Sequence, residues 1–266
     1  MEGYIAAVTK EMFFGEKCLM VWLNGCNFNC QYCNVQDILK TKSYYKTELG
    51  NIENIIKKAN DVKKIVFTGG EPLFQKAVLR YLLKKAKDNN LKTCIHTNGS
   101  KPKALKSLLE DNIIDEVYFD IKCSLENYEN ITKSATFFIT RQQIIKDIKE
   151  SLCLMKEYED KINISFVTVI IPGLVYRKEE LIKTASLINN IKCRWHIKPF
   201  TSHYGIEEAN LLEGYMNKES LEEMPFVVKK IKDKYKNIEK PSLFFLKKLK
   251  KHIEDKFNNL KVYIEN

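Results

Sequence analysis

Apolar and polar positions along the 266-residue chain follow two periods in turn. Short runs rich in β-branched and aromatic residues read as buried strands: KCLMVWLN (17–24), KKIVFTG (63–69), LKTCIHTNG (91–99), DEVYFDIK (115–122), INISFVTVIIPG (162–173) and CRWHIKPF (193–200). Between them apolar residues recur every three or four positions, which predicts helices near 51–60, 75–89, 101–111, 140–157 and 177–190. Strand and helix in alternation predict a mostly parallel sheet with helices packed outside it. Six such strands exceed half of a doubly wound sheet and fall short of the eight of a closed barrel. No repeat, low-complexity tract or Pro/Gly-rich linker interrupts the pattern, so one domain is expected, a core over 1–200 with an extension over 201–266 packed on it. Ligands of parallel α/β sheets bind at the carboxyl ends of the strands, so the residues that close each strand carry the information.

Beyond residue 225 the pattern changes. SLFFLKKLKKHIEDKF sets Leu246, Leu249, Ile253 and Phe257 on one helical face and lysines on the other. This reads as a helix covering the core, with a solvated basic face that also suits docking of an acidic partner. The formal net charge is +10, yet forty of the forty-four basic residues are lysine, which argues against nucleic acid or phosphate recognition by arginine forks. The longest apolar run, ISFVTVII, is far short of a membrane span, and the N-terminus lacks a basic-then-apolar ramp. Cys18, Cys94, Cys123, Cys153 and Cys193 fall singly in apolar segments, as free buried cysteines do, so a reducing cytoplasm is expected.

The other three cysteines stand together. LNGCNFNCQYCN places Cys26, Cys30 and Cys33 directly after the first predicted strand. Gly25 and three asparagines suit a tight loop around something compact. A structural zinc wants four ligands and only three are clustered here. Iron–sulfur clusters are held by thiolates, usually four; three can grip three irons and leave one iron open to a ligand. FTGGEP (67–72) closes the second predicted strand: its glycines allow close backbone approach, Glu71 offers an acceptor and Pro72 suits a helix start. Alone it also fits an ordinary βα turn.

Together, CNFNCQYC and TGGEP resemble the CxxxCxxC and GGEP motifs of the radical S-adenosylmethionine (SAM) superfamily. The resemblance implies a partial (β/α)6 TIM-like barrel with a helical C-terminal extension, a [4Fe-4S] cluster on Cys26, Cys30 and Cys33, and SAM on the open iron. One electron then cleaves SAM to methionine and a 5′-deoxyadenosyl radical, the cofactors supplying the chemistry and the protein the positioning. Tyr32 matches the aromatic near the adenine, and Gly70 and Glu71 match the turn that receives the SAM amino group. The string HTNG…DIK…VIIPG is similar to the activases of glycyl radical enzymes, such as those of pyruvate formate-lyase and anaerobic ribonucleotide reductase. That narrower resemblance implies Thr97 and Asn98, then Asp120 and Lys122, at the SAM pocket, with Val169 and Ile170 packing beside them. It also implies a glycyl radical enzyme as protein substrate, a flavodoxin or ferredoxin as electron donor, and an anaerobic host.

Two departures from the pattern stand out. His96 occupies a place before TNG where activases often carry aspartate, so that cation site is not carried over. In KPFTSHYG, Thr201 takes the place of a SAM-reaching histidine; His203, two residues on, either substitutes or is a loop histidine. Asp120 and Lys122 share one face of a strand, where they either meet a polar ligand or pair for structure alone. An alternative within the same chemistry is a small-molecule enzyme similar to 7-carboxy-7-deazaguanine synthase, although the aspartate–threonine pair that often follows the last cysteine there is Asn34–Val35 here. A zinc-binding module without catalysis is the alternative from another class.

Overall fold

The structure, a computed structural model, describes residues 1–30, 32–33, 46–201 and 239–265. It opens on a long hairpin of β1 (Glu2–Phe13) and β2 (Glu16–Leu23), joined by Phe14 and Gly15. Both turn residues have positive φ, 46° and 82°, the conformation that matches a two-residue turn to the twist of its strands. β3 (Lys46–Glu48) and α1 (Leu49–Lys58) follow, then β4 (Lys64–Gly69), a 3₁₀ turn (Pro72–Gln75) and α2 (Lys76–Asp88). β5 (Lys92–Thr97), α3 (Pro102–Glu110), β6 (Glu116–Asp120), the short α4 (Tyr128–Thr132) and α5 (Arg141–Tyr158) come next. β7 (Asn163–Ile170), α6 (Lys178–Ile188), β8 (Arg194–Pro199), α7 (Leu243–Lys256) and β9 (Lys261–Ile264) complete the described elements.

The sheet order is β3-β1-β2-β4-β5-β6-β7-β8-β9. The strands from β2 through β9 pair in parallel, while β1 runs antiparallel to β2 and β3 at one edge. The six predicted strands are thus present as β2 and β4–β8, in the arc of a partial TIM-like barrel. Three strands were not foreseen. β1 mixes Ile5, Val8 and Thr9 with glycine, alanines and charged residues, so no clear strand period stands out, and it is held by pairing with β2. β3 and β9 are three and four residues long, too short for a period to show. The C-terminal extension is corrected accordingly: besides helix α7 it supplies a strand, β9, to the same sheet.

Alternation along the parallel strands separates two cores. Leu19, Val21, Ile65, Phe67, Val117, Phe119, Phe166 and Trp195 face the helices in the larger one. Cys18, Met20, Trp22, Val66, Cys94, Tyr118 and Val167 fill the barrel interior. Each large side chain so buried stabilises the fold by roughly 1.5–3 kcal/mol. α5 and α7 start where Thr140 and Ser242 accept hydrogen bonds from Gln143 N and Phe245 N, both at 3.2 Å. Leu246, Leu249 and Ile253 of α7 are buried as their spacing requires.

The amino end of the barrel is sealed by charge. Lys64 and Glu116 are both buried, with Nζ and Oε2 2.7 Å apart, and Lys64 also pairs with Glu16. Arg194 reaches the other oxygen of Glu116 at 2.7 Å. Burial would favour a neutral Lys64, but Glu116 and Glu16 outweigh it and raise its pKa. All eight cysteines are free; Cys153 is exposed, against the expectation of burial, because it lies on the outer face of α5.

Candidate active site

A cavity of about 630 Å³ lies at the carboxyl ends of the parallel strands. Cys26, Cys30 and Cys33 line it from the loop after β2, and Thr68, Gly69 and Gly70 from the end of β4. His96 and Asn98, then Asp120 and Lys122, enter from β5 and β6, and Val169 from β7. The structure therefore brings most of the predicted site residues to one place. Ile170 points to the outer core instead, and His203 lies outside the described residues.

The cysteine loop is fastened at several points. Gly25 adopts φ 89°, and its carbonyl accepts from Glu71 N at 2.8 Å. Gly70 N donates to Leu23 O at 2.9 Å, and Asn29 N to Thr132 O at 2.8 Å. Burial pushes the Cys26 thiol up to about 11 and the Cys30 thiol up to about 12, so without a metal these sulfurs hold their protons. A bound iron would reverse that.

Glu71 and Thr97 sit behind the cavity wall. The Glu71 carboxylate is wholly buried and accepts from Thr97 Oγ1 (2.7 Å), Asn98 N (2.7 Å) and Leu73 N (3.1 Å). It ties the TGGEP turn to the TNG turn. Gly99, the next residue, has φ 72°, and a Cβ there would fall 2.0 Å from the Phe119 ring, so glycine is required.

On the adjacent strand β6 Asp120 bonds His96 Nε2 at 2.9 Å and pairs with Lys122 through its other oxygen. Burial alone would raise the pKa of Asp120, but the Lys122 ammonium and His96 outweigh it and hold the carboxyl well below its usual range. The same pairing raises Lys122 against its own burial. The Lys122 ammonium also lies 6.0 Å from the ring centre of the buried Tyr32.

Some cavity residues escaped the sequence reading. The hairpin turn carries Phe13 and Phe14 into the barrel, where Phe14 stacks on Tyr118 at 4.6 Å and meets His196 edge-on at 4.6 Å. His196, outside the cavity lining, is buried in the interior, 2.6 Å from Glu265 through Nδ1. Lys198 lines the cavity and its pKa is lowered by burial. Its place two residues after His196 on one strand was a usable signal; Glu265 gave none, since it depends on β9.

Residues 20–212 match the model of the radical SAM superfamily, and the chain belongs to that superfamily. It is 32% identical over 117 residues to a protein of Methanocaldococcus jannaschii that bears the name of a glycyl-radical enzyme activating enzyme. That alignment takes in 43% of this chain and 47% of the relative, about half the length of each. With the 7-carboxy-7-deazaguanine synthase of Clostridium acetobutylicum it shares 29% identity over 166 residues, 60% of this chain and 72% of the relative. A radical SAM methyltransferase from Sphaerobacter thermophilus superposes with a TM-score of 0.61 over 93% of this chain and 66% of that one, at 11% identity, a likeness of fold.

Membership implies a [4Fe-4S] cluster and SAM, and the residues present fit both. Three thiols face one cavity. Three cysteine thiolates lining one cavity are the ligand type an iron–sulfur cluster takes. No helix among the described residues is long and apolar enough to cross a membrane.

Proposed function

We propose that Cys26, Cys30 and Cys33 hold the cluster and that SAM lies across the cavity between Tyr32, Gly70, Asn98, Asp120 and Lys122. When bound, the cluster and SAM supply a 5′-deoxyadenosyl radical through one-electron cleavage. The chain's own residues orient and shield. Lys122, fixed by Asp120, presents a held positive charge suited to a carboxylate, and Gly70 lets backbone approach the ligand. Glu71 and Thr97 act from behind by setting the turn that carries Asn98. Trp22, Phe13 and Phe14 keep water from the inner wall.

The hydrogen removed, in this reading, is that of a backbone glycine on a partner enzyme, which is left with a stored glycyl radical. The observation that carries it is that the cavity meets the surface at its carboxyl end, beside the partly exposed Cys26 and Cys33. A protein loop bearing a glycine has the slenderness to enter there. The activase-named relative supports it. An external one-electron donor of the flavodoxin or ferredoxin kind would supply the electron.

The test incubates anaerobically reconstituted, reduced protein and SAM with glycyl radical enzymes of the same host, followed by EPR. A glycyl doublet on a partner, with 5′-deoxyadenosine formed in step, is expected. Turnover of a pterin-like small molecule without any protein radical would replace this reading with that of a deazaguanine-type synthase, to which the longer alignment belongs.

A further inference from the structure

We propose that Asn98 is a positioning residue for the cluster: its side-chain amide donates a hydrogen bond to the sulfur of Cys26 and so raises the cluster's reduction potential. This rests on Cys26 being a cluster ligand, as proposed above, and holds whichever hydrogen the radical removes.

The geometry leaves the amide little freedom. Asn98 Nδ2 lies 3.8 Å from Cys26 Sγ and 3.1 Å from Asn27 Oδ1. Its Oδ1 accepts from Ser100 N at 2.9 Å. Turning the amide over would set a carbonyl against the sulfur and against the Asn27 oxygen, and an NH₂ against the Ser100 N–H. The Ser100 backbone N–H, which can only donate, therefore fixes the orientation with the amide N–H toward sulfur. A second donor, Phe28 N, reaches the same sulfur at 3.4 Å. Asn98 is 5% exposed, so few of its contacts are open to water.

The backbone beneath this amide is equally fixed. Asn98 N donates to Glu71 Oε2, while Thr97 Oγ1 donates to Glu71 Oε1. The acid of TGGEP, the amide of TNG and the first cysteine of the loop thus form one hydrogen-bonded line across three separate stretches of sequence. An N–H···S bond withdraws electron density from a thiolate and weakens its donation to iron. The cluster form with the additional electron gains from this, and the potential rises.

The experiment compares wild type, Asn98→Ala and Asn98→Asp after anaerobic reconstitution, by iron and sulfide assay, far-UV circular dichroism and EPR-monitored redox titration without SAM. Retained cluster is expected in both variants. The midpoint should move to more negative potential in Asn98→Ala and further in Asn98→Asp, where a carboxylate faces the thiolate. The Fe–S(Cys) stretching bands in resonance Raman spectra should rise in frequency in step. An unchanged midpoint in a variant that holds its cluster would overturn the proposal. So would a variant that folds as wild type yet binds no iron, since a donor that tunes the cluster is not required for loading. Should Asn98→Ala fail to fold, Asn98→Asp decides by the same criteria. Full iron retention in Cys26→Ala would instead strike at the ligand assignment, which keeps the two failures distinguishable.

Discussion

Asp120 and Lys122 illustrate how single residues can be read from sequence and where that reading stops. Their i, i+2 spacing on a strand is enough to place both in the barrel. Their pairing with each other, and the bond from Asp120 to His96, needed the sheet register that sets His96 beside Tyr118. Asp120→Asn should therefore destabilise the protein by roughly 2–3 kcal/mol at neutral pH, because it leaves a largely buried lysine without its charge partner. The sign of the pH dependence follows from the depressed pKa of Asp120. Its contribution is complete above the ordinary aspartate value of about 3.9 and is lost as pH falls further toward the native value. The difference in melting temperature between wild type and Asp120→Asn should shrink as pH falls below about 4. A gap that persists undiminished at lower pH would contradict the assignment. Among the cysteines, if the proposed assignment holds, alanine at position 26, 30 or 33 should abolish the brown chromophore and the bound iron, since each thiolate would hold one iron. Cys94→Ala and Cys123→Ala should keep the iron, and equal losses from both sets would mean that the ligands are misassigned.

The elements most legible in the sequence were those with a full period: six helices, the C-terminal α7 among them, and six strands whose apolar residues are dense enough to stand out. The hairpin strand β1 was invisible for a physical reason, as its order comes from β2 and from the aromatic residues at its tip. Phe14 sits at φ 46°, a conformation that costs a bulky L-residue about 1–2 kcal/mol. The ring contacts with Tyr118 and His196, each worth about 0.5–1.5 kcal/mol beyond area, offset that strain. Phe14→Gly relieves the backbone and removes both contacts, so the net loss should be small, about 1 kcal/mol or less by denaturant titration. Phe14→Val keeps the strain without the rings and should cost more, about 2–3 kcal/mol. A reversed order would show that the left-handed backbone at position 14 carries no such strain. The TGGEP and TNG turns were legible as motifs, but Glu71 facing away from the cavity was not, because a motif does not reveal which way its acid points.

At the scale of the whole molecule the barrel has two polar ends with different tasks. The carboxyl end gathers the thiols, the glycine turn and the Asp120–Lys122 pair. The amino end holds the buried network of Lys64, Glu116 and Arg194, closed over by Glu16. Lys64→Ala removes the central cation from a carboxylate that is 1% exposed and should cost about 3 kcal/mol of stability. SAM affinity by calorimetry should be unchanged, because the full height of the sheet separates the two sites. A matched loss of affinity would show that the network reaches the cavity.

That sealed amino end has a consequence for anyone wishing to handle or redesign the protein. Buried ion networks are often less stabilising than well-packed apolar residues of equal volume. Joint replacement of Lys64, Glu116 and their partners by such residues would be a route to a sturdier scaffold. Stabilising changes commonly exact a loss of activity when they fall at a catalytic site; here they would fall at the far end of the strands. Durability and radical chemistry occupy opposite poles of one barrel and can be engineered one at a time.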